Sequence, residues 1–467
     1  MVFDMFRKSL PNVILIVLDT LRADYSKPLD EMLGGFGFVN YDSAIAPSSW
    51  TLPSHASMFT GVYPALHGAH ETKIEKGFGI RLNYPFQLTR ELSSHGYRTY
   101  LLTANPYIRP SFGFMGFDYF YDVTGWSFQL SMLSHDDLLT IQELKKKHDI
   151  RSNAFTLASV LLREKPGLLL KLGVNKFLRV FDPLYQRVER RRKNWPLDKG
   201  VTELSGKFLD VLRREKPSNF FAFFNFLEVH EPYYPGDNAE GVRQSILTGE
   251  ADEGYMRKWR QLYPREVEYI SSKLEEFLNA LKDLDVLESS LVIITSDHGQ
   301  LLGERGLLGH GYYLYDEVLR VPLFVKYPEN LEVRLSGSAS GHISLVTLKS
   351  FILSILRSPD SLFDDSVLFS NTVFSESYGI GGITVVPKTP EETRNVENLE
   401  KHRIAVYHGP YKGIYNVDDK KLECVKSYDD SEITEDVKDM LIKDVKKFLR
   451  QARLKTAVRK INLKRKP

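Results

Sequence analysis

Residues 291–299 read LVIITSDHG, and this stretch decides the fold. Residues 291–294 are apolar and rich in β-branched side chains, the length of one buried strand, and the run ends on Asp297-His298 followed by Gly299. A carboxylate and an imidazole delivered side by side from the end of a buried strand are ligands for a divalent cation. Two earlier segments are suited to complete the shell. Residues 12–22 (NVILIVLDTLR) form a second apolar strand ending in Asp19, and residues 47–61 (PSSWTLPSHASMFTG) place Thr51 in a Ser/Thr/Pro-rich turn before a helical stretch.

Similar runs occur at 97–103, 220–226 and 322–327, separated by helical stretches such as 265–284, whose apolar residues recur at helical spacing. Strands buried on both faces and alternating with helices imply an α/β fold with a mainly parallel central sheet between helices. Reactive groups in such sheets gather beyond the carboxyl ends of the strands. Asp19, Asn105, His230 and Asp297-His298 each lie just past such a run.

The alternation is lost between 125 and 200, where the chain is helical, apolar and basic in patches (LLLKLGVNKFLRVF, then QRVERRRKNW). This reads as an insertion into a catalytic domain spanning 1–345. A solvated helical excursion is the plain reading; a lid, a dimer surface or an interfacial helix for anionic lipid are the alternatives. Residues 346–430 read as a small C-terminal antiparallel α+β subdomain, with a helix at 348–356 and strands near 373, 404–407, 412–415 and 422–425. Residues 431–467 read as an amphipathic Lys/Arg-rich helix and tail, acidic early and basic late as suits a helix dipole.

At 467 residues, 42% hydrophobic and 26% charged, the composition is that of a soluble globular protein of two or three structural units. A formal charge of +2 gives no reason to expect a nucleic-acid partner, and the basic run 190–193 is too short to make one. The single cysteine, Cys424, excludes intrachain disulfides and multi-cysteine metal sites and suits a reducing compartment. The apolar run 13–18 is too short for a signal-peptide core or a membrane span. A cytoplasmic location is therefore expected, with peripheral contact to the inner membrane face through the basic helices as a second reading. Oligomeric state is not legible.

Metal-assisted displacement at phosphorus or sulfur needs a cation that polarises a non-bridging oxygen and activates the attacking hydroxyl. Asp19, Asp297 and His298 supply an oxygen-rich shell with one imidazole, suited to Mg, Mn, Ca or Zn, and Thr51 Oγ is the ligand that reacts. The substrate is then an anionic ester. Asn105 reads either as a donor to a substrate oxygen or as a structural cap; Arg22 and Asp24 are placed to pair and shape the first metal loop, and Ser54 to cap the helix carrying residues 56–59.

The stretches VLDTLRADYS, APSSWTLPSHASMFTGVYPALHG, NFLEVHEPY and VIITSDHGQLLGERGLLGHGYYLYDEVLRVPLFVKYP together resemble the sulfatase branch of the alkaline phosphatase superfamily. The resemblance runs from residue 12 to 425, with 125–200 unmatched. It implies the alkaline phosphatase-like fold, a substrate-binding role for His230 ahead of Pro232-Tyr233, and a charge-neutralising or proton-donating role for His310. The departures bear on the chemistry. Sulfatases carry Cys-x-Pro-x-Arg, or Ser in the first place, and convert that residue to formylglycine; this chain has Thr51-Leu52-Pro53-Ser54-His55. Threonine cannot become formylglycine, so none is expected, and His55 stands at the substrate where the family has arginine. Asp19-Thr20 replaces Asp-Asp, and Asp297-His298 replaces Asp-Asn, a set resembling that of one-metal phosphotransferases of the lipoteichoic acid synthase type. No Asp-x-x-x-His pair precedes Asp297, which favours one metal ion. A metal-dependent phosphoesterase or phosphotransferase with a phosphothreonine intermediate is the first reading. A sulfatase without formylglycine is the second, and a non-catalytic binding protein the third.

Overall fold

A computed structural model describes residues 10–464 except 43, 73–74, 124–132, 134–136, 138–139, 142–143, 146, 149, 151–153, 338–340 and 358–361. The tail residues Arg465 and Lys466, and most of 125–153, thus lie outside the described residues. Two compact units are formed: Met1–Val123 with Gly200–Pro467, and Thr124–Lys199. The regions expected as C-terminal subdomain and tail helix fall in the same unit as the central sheet.

That sheet has seven strands: β1 (Asn12–Leu18), β2 (Val39–Asn40), β3 (Arg98–Thr103), β4 (Tyr119–Asp122), β5 (Phe220–Phe226), β6 (Ser290–Thr295) and β7 (Leu323–Lys326). Their spatial order is β2-β7-β6-β1-β5-β3-β4. Strands β6, β1, β5, β3 and β4 are parallel, so all their carboxyl ends open at one edge; β7 runs antiparallel to β6 and to β2. Apolar side chains cover both faces because the interior strands are buried on both sides. Val13, Leu15 and Val17 join one core with Leu52, Ala56 and Phe59. Ile14, Ile16 and Leu18 join another with Phe208, Trp259 and Phe277. Those partners come from the helices α1 (Thr51–Thr60), α2 (Val201–Glu215) and α3 (Glu253–Asp283).

Helix α3 begins twelve residues before the expected start at 265, with Pro264 inside it. Proline removes one backbone donor and normally ends a helix. Here the buried stripe of Met256, Trp259, Tyr263, Val267, Ile270 and Leu274 continues at helical spacing across it, and Asp252 caps the true start through Gly254 N at 2.8 Å. Tertiary packing of that face outweighs the local proline signal.

Strands β8 (Thr372–Ser377), β9 (Arg403–His408), β10 (Tyr411–Asn416) and β11 (Lys421–Ser427) form an antiparallel sheet. Helix α4 (Leu348–Arg357) precedes it and α5 (Glu435–Lys464) packs Leu441, Val445 and Phe448 on Ile404, Val406 and Tyr415. Strand β8 also holds the loop that leads into α1: Glu376 N donates to Pro47 O (3.0 Å) and Ser48 Oγ to Glu376 O (2.8 Å). The second unit contains the helices Ala154–Glu164, Pro166–Leu178 and Asp182–Arg192, with a small core of Ile141, Leu144, Leu161 and Leu168. Among the described residues no helix is long and apolar enough to cross a membrane.

Candidate active site

Parallel pairing of β6, β1, β5 and β3 sets Asp297-His298, Asp19, His230 and Asn105 along one edge of the sheet, and α1 brings Thr51 to the same place. Asp19, Asp297 and His298 are fully buried and offer ligand atoms within 4.8 Å of one another. His298 Nε2 lies 3.3 Å from Asp297 Oδ2, 3.8 Å from Asp19 Oδ1 and 3.4 Å from Thr51 Oγ1.

The hydrogen bonds divide each carboxylate in two. Asp19 Oδ2 accepts from Asn105 Nδ2 (2.8 Å) and Asn225 Nδ2 (3.3 Å), and Asp297 Oδ1 accepts from His298 N (3.0 Å) and Thr20 N (3.4 Å). Asp19 Oδ1 and Asp297 Oδ2 are buried and accept no hydrogen bond. His298 Nδ1 bonds the Gly299 carbonyl at 3.0 Å, so it carries the ring proton and Nε2 presents a lone pair. Two carboxylate oxygens and an imidazole lone pair thus converge with no protein hydrogen-bond donor between them. Such a set is costly to bury unless a cation sits among the lone pairs, so the residues present fit a divalent metal. Burial, reinforced for Asp19 by the neighbouring Asp297, raises Asp19 to about 6 and Asp297 to about 7, and burial lowers His298.

Local strain and close approach hold these ligands in place. Thr20 has φ 65, a conformation β-branched residues rarely adopt. Three hydrogen bonds fix it: its N to Asp297, its Oγ1 to Val229 O (2.9 Å), and its carbonyl from Tyr263 OH (2.7 Å). At Gly299 a Cβ would run into the Glu317 carbonyl, so glycine alone lets the Asp-His loop pass there. Arg22 pairs with Asp24 through two bonds (2.9 and 2.7 Å) and with Glu304 (2.6 Å), closing the loop after Asp19 onto the loop after His298.

Thr51 is the first residue of α1, and no side chain caps that helix. Ser54 is not the cap expected from the sequence. It sits one turn in and donates to Ser48 O at 3.0 Å, because the helix starts three residues earlier, at Thr51. The uncapped first-turn amides favour an anion beside Thr51.

His55 and Asn105, expected at the substrate, lie beside the carboxylates and hydrogen-bond within the protein. His55 is fully buried; Nδ1 donates to Thr51 O (2.9 Å) beside Asp297 Oδ2 (3.4 Å), and Nε2 accepts from Asn225 Nδ2 (3.3 Å). Burial lowers it to about 3, which keeps the ring neutral. Asn105 donates to Asp19 and accepts from Tyr107 N at 2.9 Å, so both ends of its amide are engaged within the protein.

His230 and His310 lie together, ring centroids 5.1 Å apart, and the His310 ring is 4.4 Å from His298. Glu231 joins them within 4.8 Å. Gln300 links the group: Nε2 donates to Glu231 Oε2 (2.7 Å), which turns its carbonyl toward His310 Nδ1 (2.6 Å). His310 Nδ1 therefore carries the proton, and Nε2 of the neutral ring is an acceptor. Burial and the neighbouring His298 and His230 push His310 well below the ordinary range. Burial also opposes charge on His230, but Glu231 and Asp19 outweigh it and raise that histidine. Asn225, Glu231 and Gln300 were missed in the sequence. A lone amide in FFAFFNF and a glutamine directly after Asp-His-Gly were the available signals.

A sequence profile described as Sulfatase matches residues 11–357. The chain belongs to the sulfatase family. An arylsulfatase of Clostridium perfringens is 23% identical over 69% of this chain and 69% of that protein. The uncharacterized sulfatase YidJ of Escherichia coli is 24% identical over 77% and 70%. Among solved structures, the phosphonate monoester hydrolase of Agrobacterium radiobacter shares the fold, with a TM-score of 0.59 at 13% identity over 96% of each chain. This sulfatase-family protein is accordingly an ester hydrolase. Enzymes of the family are metal-dependent, and Asp19, Asp297 and His298 are a group of residues that could hold a metal ion.

Proposed function

We propose that this enzyme cleaves phosphate esters through a covalent phosphothreonine on Thr51. The observation that carries the reading is a threonine, unable to become formylglycine, at an uncapped helix N-terminus with Oγ1 3.4 Å from His298 Nε2. Asp19, Asp297, His298 and Thr51 would hold one divalent ion, which when bound polarises a phosphoryl oxygen and lowers the pKa of the threonine hydroxyl.

Thr51 Oγ1 attacks phosphorus, forming the Oγ–P bond as the bond to the leaving oxygen breaks. His310, neutral with its Nε2 lone pair available, accepts the threonine proton and returns it to the leaving oxygen. Water, or an alcohol in a transfer reaction, then attacks the phosphothreonine, releases phosphate or the new ester and restores Thr51. His230, favoured in its charged form, orients the anionic group, and the first-turn amides of α1 add stabilisation.

A second reading keeps the site and makes sulfate esters the substrate. The named activities of the arylsulfatase and YidJ relatives favour it. Rates on matched nitrophenyl phosphate, phosphodiester, phosphonate and sulfate separate the two, with acid-quenched protein analysed by phosphorus-31 NMR and peptide mass. A phosphoryl group on Thr51 supports the proposal; turnover of sulfate alone, with no phosphoryl adduct, overturns it.

A further inference from the structure

In the second unit, the helices Pro166–Leu178 and Asp182–Arg192, joined by the turn Arg179–Phe181, carry a row of exposed apolar side chains. Leu170, Phe177, Val180, Phe181, Leu184 and Val188 are 47–73% exposed. Single exposed apolar residues are ordinary, but six within nineteen positions are not. Their spacing is orderly. Phe181, Leu184 and Val188 recur at i, i+3 and i+7, one face of the second helix and the turn before it, and Leu170 and Phe177 are seven apart on the first. Leu170 and Phe177 also line a shallow apolar groove with Pro166, Leu169, Gly173 and Val174.

Charge identifies the occupant. Residues 166–193 contain eight Lys/Arg and two Asp/Glu, a formal +6 in a chain whose total is +2. Two copies meeting through this surface would bring +6 against +6, which disfavours self-association. Apolar and aromatic side chains flanked by a cluster of Lys/Arg are the composition of a helix that lies in a lipid interface, apolar face in the acyl boundary and basic groups at the headgroups.

We infer that the helices at 166–192 are a docking surface for an anionic lipid bilayer. The inference is independent of the ester chemistry at Thr51.

Flotation of the full-length protein with phosphatidylcholine vesicles, with and without 30 mol% phosphatidylglycerol, tests it. Binding is expected to the anionic vesicles, weakened by 0.5 M salt. Phe177→Asp with Leu184→Asp should abolish it, and Lys176, Arg187 and Arg191→Gln together should weaken it about 100-fold at low salt. These residues are surface-exposed and outside the active site, so an unchanged melting temperature and ester hydrolysis rate verify folding. Failure to bind anionic vesicles at low salt overturns the proposal. So does binding unaffected by either set of substitutions, or a wild-type dimer by light scattering that Phe177→Asp dissociates.

Discussion

Asn105 Nδ2 donates to Asp19 Oδ2 at 2.8 Å and leaves Asp19 Oδ1 as the oxygen aimed at His298. The amide thereby selects which lone pairs face a cation. Asn105→Ala should weaken divalent-metal affinity by about 10–100-fold, the usual consequence of losing a group that orients a ligand. Titration calorimetry checks it; unchanged affinity would show that Asp19 needs no such support.

Thr51→Ala should lower kcat by at least about 10³-fold, whereas Thr51→Ser should retain much of the activity. Metal content, measured alongside, distinguishes a lost nucleophile from a lost ion. Full turnover by Thr51→Ala with metal still bound would end the covalent mechanism.

Asp19 and Asp297, raised to about 6 and about 7, make the metal-free enzyme behave opposite to a protein held by ionised carboxylates. Between about pH 4 and pH 7 the native state binds more protons at this pair than the unfolded chain does, so stability falls as pH rises through that window. A bound cation favours the ionised forms. The rise in melting temperature on adding metal to chelator-treated protein should therefore be larger at pH 8 than at pH 5. An equal or larger rise at pH 5 would contradict the assigned ligands.

Gln300→Ala should free the His310 ring from its fixed tautomer and lower kcat by about 10–100-fold with little change in KM. Gln300→Glu puts a carboxylate against Nδ1, favours the imidazolium, and should move the acidic limb of the kcat profile to higher pH. A purely structural glutamine would leave that limb where it was.

Asp316 accepts from Lys412 Nζ (2.7 Å), Lys426 Nζ (2.8 Å), Tyr428 OH (2.9 Å) and Tyr407 OH (3.1 Å), and so ties the C-terminal sheet to the loop beyond His310. Burial opposes ionisation here, but Lys412 and the donors outweigh it and hold the carboxyl well below its usual range. Its contribution is present above the unfolded pKa, about 4, and is lost as acid protonates it. Asp316→Asn leaves Lys412 buried without its counter-ion and should cost about 3–5 kcal/mol by denaturant titration. Activity per folded molecule should be unchanged.

Much of this enzyme was legible in the chain itself. The runs ending at Asp19, Asn105 and Asp297-His298 gave the parallel sheet and three candidate metal ligands at its edge, because a strand buried on both faces must be continuously apolar and must stop where polar chemistry begins. Thr51 at the formylglycine position was readable from residue identity alone. The start of α3 was not, since Pro264 is a local signal while the buried stripe that overrides it exists only once the helix meets the sheet.

Only the tertiary structure set His55 and Asn105 against the carboxylates, and brought in Asn225, Glu231 and Gln300. Spacing along a chain reports periodicity and chemical type. Which oxygen of Asp19 is left bare, and which nitrogen of His310 holds the proton, depend on contacts between strands and loops far apart in sequence, and those are fixed by sheet order and register.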